Sequence, residues 1–166
     1  MARLLVILFF TVCLTHTAFA SALDDARTLL EDRKFDQAIE LARADGSPEG
    51  LVLAAETLST KVMLGYKDDA NDRAKQARKW AETAQDKLPR SQEAMVQYAL
   101  AYGIEARTSS TFRAWRKKLP QKTLAVIDAF RAAYPDEPRG DALLGGWHLG
   151  ISTYKQYIIF MTFPLT

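Results

Sequence analysis

From Ala22 onward the apolar residues return every third or fourth position, and no stretch sustains the alternation of a half-buried strand. A 3.6-residue period places such residues on one stripe of a helix, so the chain must bury helix stripes against one another. Leu23, Ala26, Leu29 and Leu30 line a first helix that breaks near Arg33-Lys34; Phe35, Ala38, Ile39 and Ala42 line a second that stops at Asp45-Gly46-Ser47-Pro48. Ser47 suits the cap there and Pro48 the first helical position, where the missing N–H of proline is not needed. A third helix is predicted from about Pro48 to Leu64, with Leu51, Ala55, Leu58, Val62 and Met63 inward and Gly65 closing it.

Asp68 or Asp69 then caps a fourth helix reaching Leu88, whose stripe is small: Ala70, Ala74, Ala77, Ala81, Ala84. Alanines four apart let neighbouring helices approach closely, so this helix is expected to be packed on more than one side. After Pro89-Arg90-Ser91 a fifth helix carries Ala94, Met95, Tyr98, Ala101, Tyr102 and Ile104. A polar break at 108–111 follows, and then a short helix or ordered loop over 112–119. Pro120 opens a helix with Leu124, Ile127, Ala129, Phe130 and Ala133, and a last helical segment starts at Arg139 and runs to about Leu149.

Both ends differ from this middle. Met1-Ala2-Arg3, the apolar run Leu4 to Leu14 and Ala18-Phe19-Ala20 have the order of a secretory signal peptide, with cleavage expected after Ala20. The apolar run is shorter than the ~20 residues that span a bilayer, so no transmembrane helix is expected in the mature form. The single cysteine, Cys13, lies inside it, which leaves the exported chain without disulfide or thiolate chemistry. At the other end, residues 151–166 gather tyrosine, isoleucine and phenylalanine around one charge, Lys155. That segment reads as an outer cap, as an adhesive interface or, the expectation adopted here, as an abnormal end of the reading frame. The organisation expected is therefore a signal peptide over 1–20, one helical domain over 21–150 and an atypical apolar tail over 151–166.

The spacing of the middle resembles the tetratricopeptide repeat. Ala77, Ala81, Ala84 and Pro89 reproduce the small residues and the proline of its second helix, and Thr123, Ile127, Phe130 and Pro135 keep the spacing with larger side chains. Ala26 with Phe35 and Ala38 echoes the motif in the first pair, and Leu144-Gly145 looks like the opening of a fresh first helix. Pro48, Pro89 and Pro135 stand farther apart than the ~34 residues of the standard repeat, so longer helices or turns are expected. The resemblance implies an all-α superhelix of about three helical hairpins and a partial fourth. It also implies a concave face that holds a protein or peptide, in the role of a periplasmic scaffold or adaptor; a looser likeness to subunits of solute-transport systems makes a solute-binding or accessory component the alternative.

Chemistry finds little purchase. Beyond residue 20 the only histidine is His148, and no HExxH, Cys/His zinc framework, phosphate-binding glycine loop or nucleotide fingerprint occurs, so neither enzyme, metal nor cofactor is expected. A near-balanced formal charge of +2, with both signs intermixed, argues against nucleic acid. Asp69-Ala70-Asn71 imitates the start of a calcium loop but lacks its later ligand and glycine, and Asp24/Asp25 and Glu31/Asp32 read as solvated faces. In Gly145-Gly146-Trp147-His148 the glycines permit close backbone contact and Trp147 and His148 could offer a ligand a stacking plane and a hydrogen bond; the expectation adopted is that the glycines admit a neighbouring helix and Trp147 fills the core, with His148 a satisfied polar neighbour.

Two surfaces suggest a partner. Arg113, Arg116, Lys117, Lys118 and Lys122 surround Phe112 and Trp115; they could hold an acidic peptide, an anionic lipid or a phosphate, or could form a solvated connection anchored by its aromatics. Lys75, Arg78 and Lys79 beside Trp80 read as the outer face of the fourth helix. Tyr98 and Tyr102 lie four apart on a first helix of the repeat; with Gln97 and Arg107 they are the residues to expect in a concave groove, if they are not core. The partner set is thus Gln97, Tyr98, Tyr102, Arg107, Arg113, Trp115, Arg116, Lys117 and Lys118.

Overall fold

The computed structural model describes residues 22–66 and 68–162, with side chains as far as Ser152. The signal peptide and its cleavage site lie outside the described residues, as do the side chains of most of the apolar tail. The described residues are all-α: eight helices and no strand. They are α1 (22–31), α2 (Phe35–Ala44), α3 (Pro48–Met63), α4 (Ala70–Lys87), α5 (Gln92–Thr108), α6 (Thr111–Arg116), α7 (Leu119–Ala133) and α8 (Arg139–Thr162).

Local chemistry sets most of the boundaries. The Ser47 hydroxyl accepts from the Gly50 amide at 3.0 Å with Pro48 in the first turn, and Ser91 does the same for Ala94 at 3.2 Å. Gly65 ends the α3 segment at φ +91°, where a side chain would be strained. Asp69 occupies the cap position of α4 but in the left-handed region and without a side-chain hydrogen bond, so that helix starts uncapped by its aspartate. Helix α8 continues through Gly150 to Thr162, past the end near Leu149 that its sequence suggests.

Burial follows the small-residue stripe. Ala74, Ala77, Ala81 and Ala84 are completely buried, because α4 packs on α3 and α5 at once. At the start of the chain, Ala26, Ala42, Leu53 and Ala54 form one cluster that joins α1, α2 and α3, with Trp80 of α4 against it. Two expectations shift. Met63 is exposed at the end of α3, and α7 turns Thr123, Ile127 and Phe130 inward while Ala129 and Ala133 face out. Ala129 is two positions, about 200° of helix, from Ile127, so both cannot share one face.

Packing proceeds in chain order: α2 on α3, α3 on α4, α4 on α5, α5 on α7 and α7 on α8. Helices α3, α5 and α8 also touch in succession, and α6 lies against α5 and α7. The start of α8 is drawn tightly onto α7. A Cβ at Gly140 would stand 2.7 Å from Cγ of Arg131, and the Trp147 indole N–H donates to the Pro120 carbonyl at 2.9 Å.

Candidate functional site

Helix α5 presents two opposite faces. Toward α4 it carries Tyr98, Tyr102 and Glu105. The two tyrosine rings meet edge-on at 5.0 Å, the Tyr98 hydroxyl donates to Glu82 at 3.3 Å, and the Arg78 guanidinium lies 5.2 Å from the Tyr102 ring centre. Burial first, then hydrogen bonding with Tyr102 and the nearby Glu82, pushes the Tyr98 phenol well above the ordinary tyrosine range. Glu105 is 1% exposed and receives Arg78 Nε at 2.5 Å, with Lys117 Nζ at 3.5 Å. Arg78 therefore points inward, not onto the outer face of α4.

Tyr98 is half-buried against α4 and Tyr102 and Gln97 are buried, so three of the four groove residues expected from sequence belong to the interior, the two tyrosines in this contact. Gln97 donates to Glu93 at 2.9 Å. For the tyrosines the physical reason is angular: residues 98 and 102 each lie about 200° from Leu100 on a helix, so a groove face through Leu100 excludes both.

The other face of α5 carries Val96, Leu100, Gly103 and Arg107. Together with α7 and α8 it bounds a cavity of about 400 Å³, completed by Ile127 and Gly146, with Met63 reaching it from α3. Its lining is overwhelmingly apolar. Of its polar members, Thr123 donates to Leu119 at 2.9 Å, Trp147 to Pro120, and Arg139 to Glu93 at 2.8 Å and Glu137 at 2.9 Å. The exposed Arg107 side chain has no hydrogen bond or ion pair among the described residues. Arg107 is thus the one expected groove residue that borders open space.

The α6 patch is a second open surface. Phe112 and Trp115 expose 76% and 55% of their area, so they do not anchor the connection; Ala114 and Leu119 are its buried residues. Arg116 stacks 5.9 Å from the Phe112 ring centre, Arg113 donates to Asn71 at 3.1 Å, and Lys117 leans toward Glu105. Lys118 is exposed and takes a left-handed backbone at φ 54°, which turns the chain into α7.

The remaining chemical candidates resolve into structure. Asn71 donates to Ser109 at 3.0 Å and ties α4 to the end of α5. Asp24 pairs with Arg27 and Asp32 with Lys34 on open surface. Trp147 is half-buried with His148 edge-on at 5.0 Å, but a Cβ at Gly145 or Gly146 would meet nothing within 4 Å. Those glycines leave room; they do not admit a helix. Among the described residues no group of three or more His, Cys, Asp or Glu is placed to hold a metal ion, and no helix is long and apolar enough to cross a membrane.

Sequence reasoning missed Glu105 and the cavity. A signal for each is present: Glu105 follows Tyr102 by three on the same face, and Gly103, Gly146 and Gly150 are helical glycines without an obvious turn to make.

No family model matches the chain, and no solved structure matches it. A probable thioesterase of Gibberella zeae is 43% identical over 49 residues, which is 30% of this chain and 12% of that protein. The chain therefore spans about an eighth of the length of the curated relative it matches.

Proposed function

We propose that this chain is an exported, non-catalytic scaffold or adaptor that holds a protein or peptide partner on a superhelix of tetratricopeptide-like hairpins. The observation that carries the reading is the α6 surface. Two large aromatic side chains stand mostly in solvent among Arg113, Arg116, Lys117 and Lys118. Aromatic and arginine side chains concentrate binding energy when a partner desolvates them, and a monomer gains nothing by exposing them. The order of packing supports the repeat: α3 with α4 and α5 with α7 form hairpins, and the first helices α3, α5 and α8 follow one another as they would along a concave wall.

Affinity capture with the exported form, followed by mass spectrometry, tests the proposal against a Phe112→Ala/Trp115→Ala variant of unchanged helicity. A partner lost with the variant supports it; identical captured proteins count against it. Export itself is tested by N-terminal sequencing, with Ser21 expected first. The thioesterase likeness raises a hydrolytic alternative, and release of free thiol from an acyl thioester by the purified protein would overturn the non-catalytic reading. A second reading, a solute-binding component of a transport system, is favoured by the apolar cavity, whose volume lies within the ~300–1,000 Å³ of small-ligand sites.

A further inference from the structure

We infer that the cavity between α5, α7 and α8 binds a single-chain amphiphile, an apolar tail ending in one carboxylate, with the carboxylate at Arg107. The inference rests on the solute-binding reading and names the class of solute.

Glycine is among the poorest residues for a helix interior, and it is ordinarily kept there by a left-handed backbone or by a close neighbour. Gly140 and Gly50 show the second cause, since a Cβ would stand 2.7 Å and 2.3 Å from neighbouring atoms. Gly103, Gly146 and Gly150 show neither. Their backbones are right-handed; a Cβ at Gly146 or Gly150 would touch nothing within 4 Å, and one at Gly103 would make ordinary contact with Thr123 at 3.7 Å. Gly103, Gly146 and Gly150 line the same cavity, whereas Gly145, equally free of neighbours, stands outside it. What their missing side chains provide is its volume.

The wall selects the occupant. Val96, Leu100, Ile127 and Leu143 offer apolar surface, while Thr123 and Trp147 have their donors committed within the chain and the charge of Arg139 is paired with Glu93 and Glu137. A sugar or an extended peptide would lose its hydrogen bonds to water there and find none in return. Arg107 is the charge in this lining without a partner among the described residues, and one guanidinium matches one carboxylate, which it can hold with two parallel hydrogen bonds. An apolar chain with a single anionic head satisfies both halves of the site.

Calorimetric titration of the purified protein with decanoate, dodecanoate and 1-decanol tests this. Affinity should rise about fourfold per added methylene, hence about sixteenfold from decanoate to dodecanoate. Arg107→Gln, at an exposed position, should weaken dodecanoate tenfold or more and leave 1-decanol unchanged. Gly146→Leu should abolish binding of all three with an unaltered helical spectrum, and Gly103→Val provides the same test should the first variant fold poorly. Phe112→Ala/Trp115→Ala should bind dodecanoate as the parent does, which separates this site from the α6 surface. Equal affinity for decanoate and 1-decanol, or an Arg107→Gln variant that binds dodecanoate normally, would overturn the carboxylate assignment while leaving a solute site. No binding of any probe, or undiminished binding by both cavity-filling variants, would overturn the solute reading as well.

Discussion

Replacing Glu105 with alanine removes the carboxylate that holds α4 and α5 together from inside. It is 1% exposed, and its main partner, Arg78, is 20% exposed in its side chain. Removing one member of a buried pair costs about 3–5 kcal/mol, because the other charge stays desolvated. Arg78 keeps Glu82 at 2.7 Å, but that carboxylate is 43% exposed and compensates only in part. Lys117, 42% exposed at 3.5 Å, loses a contact worth less than about 1 kcal/mol. The low end of the range follows, about 3 kcal/mol, or roughly 9 °C in melting temperature for a chain of this size. Urea unfolding followed by far-UV circular dichroism measures it. Because a desolvated pair is screened little by salt, the cost should persist at high ionic strength. Glu105→Ala combined with Arg78→Met should recover about 2 kcal/mol relative to additivity, since the orphaned charge is gone. A Glu105→Ala variant within about 0.5 kcal/mol of the parent, or strict additivity with Arg78→Met, would show that the two side chains do not depend on each other.

Ala81→Leu should overpack the contact of α4 with α3 and α5 and cost on the order of 1–3 kcal/mol by thermal melting, since Ala81 has no exposed surface to yield. Two glycine substitutions should have opposite signs in the same assay. Gly50→Ala forces a Cβ to within 2.3 Å of the Ala42 carbonyl and should destabilise, whereas Gly146→Ala meets nothing and should stabilise by up to about 1 kcal/mol. The raised Tyr98 ionisation makes the folded state hold its proton longer than the unfolded one. Its contribution is intact below the ordinary tyrosine value of ~10 and is lost as pH rises through the folded value, so stability measured from pH 9 to 11 should fall less steeply in Tyr98→Phe.

Local signals carried most of the helix reading. Ser47-Pro48, Ser91 and Gly65 mark boundaries by chemistry that acts within a turn, and the structure places helix ends beside each of them. The alanine stripe of α4 likewise announced two neighbours, because a helix face without side-chain bulk is stable only if backbones close on it. The site was less legible. Periodicity gives the existence of an apolar face but not its rotation, and on α5, where apolar residues lie nearly all round, two faces competed. Tyr98 and Tyr102 suggested a groove by their size, yet the Tyr98 hydroxyl, the Tyr102 ring and the hidden charge of Glu105 find their partners in Glu82 and Arg78 on α4. That partner set is 16 to 27 residues distant in sequence and has no local signature.

The consequence for function lies in how α5 divides its labour. Its α4-facing side commits every charged group to an internal partner, so substitutions there act on stability. Its other side carries Gly103 and an exposed Arg107 without a partner among the described residues, so substitutions at these two positions change the cavity and its rim more than the core. A helix whose sole purpose was packing would fill that side with leucine, since each removed void of methyl size or more adds about 1 kcal/mol of stability. Keeping three glycines around one cavity, beside an arginine whose side chain has no partner among the described residues, gives up helix propensity at each glycine. A bound solute would fill that space, so the cavity-filling variants Gly146→Leu and Gly103→Val should trade solute binding for helix stability, and the two readouts together separate a used cavity from an idle one.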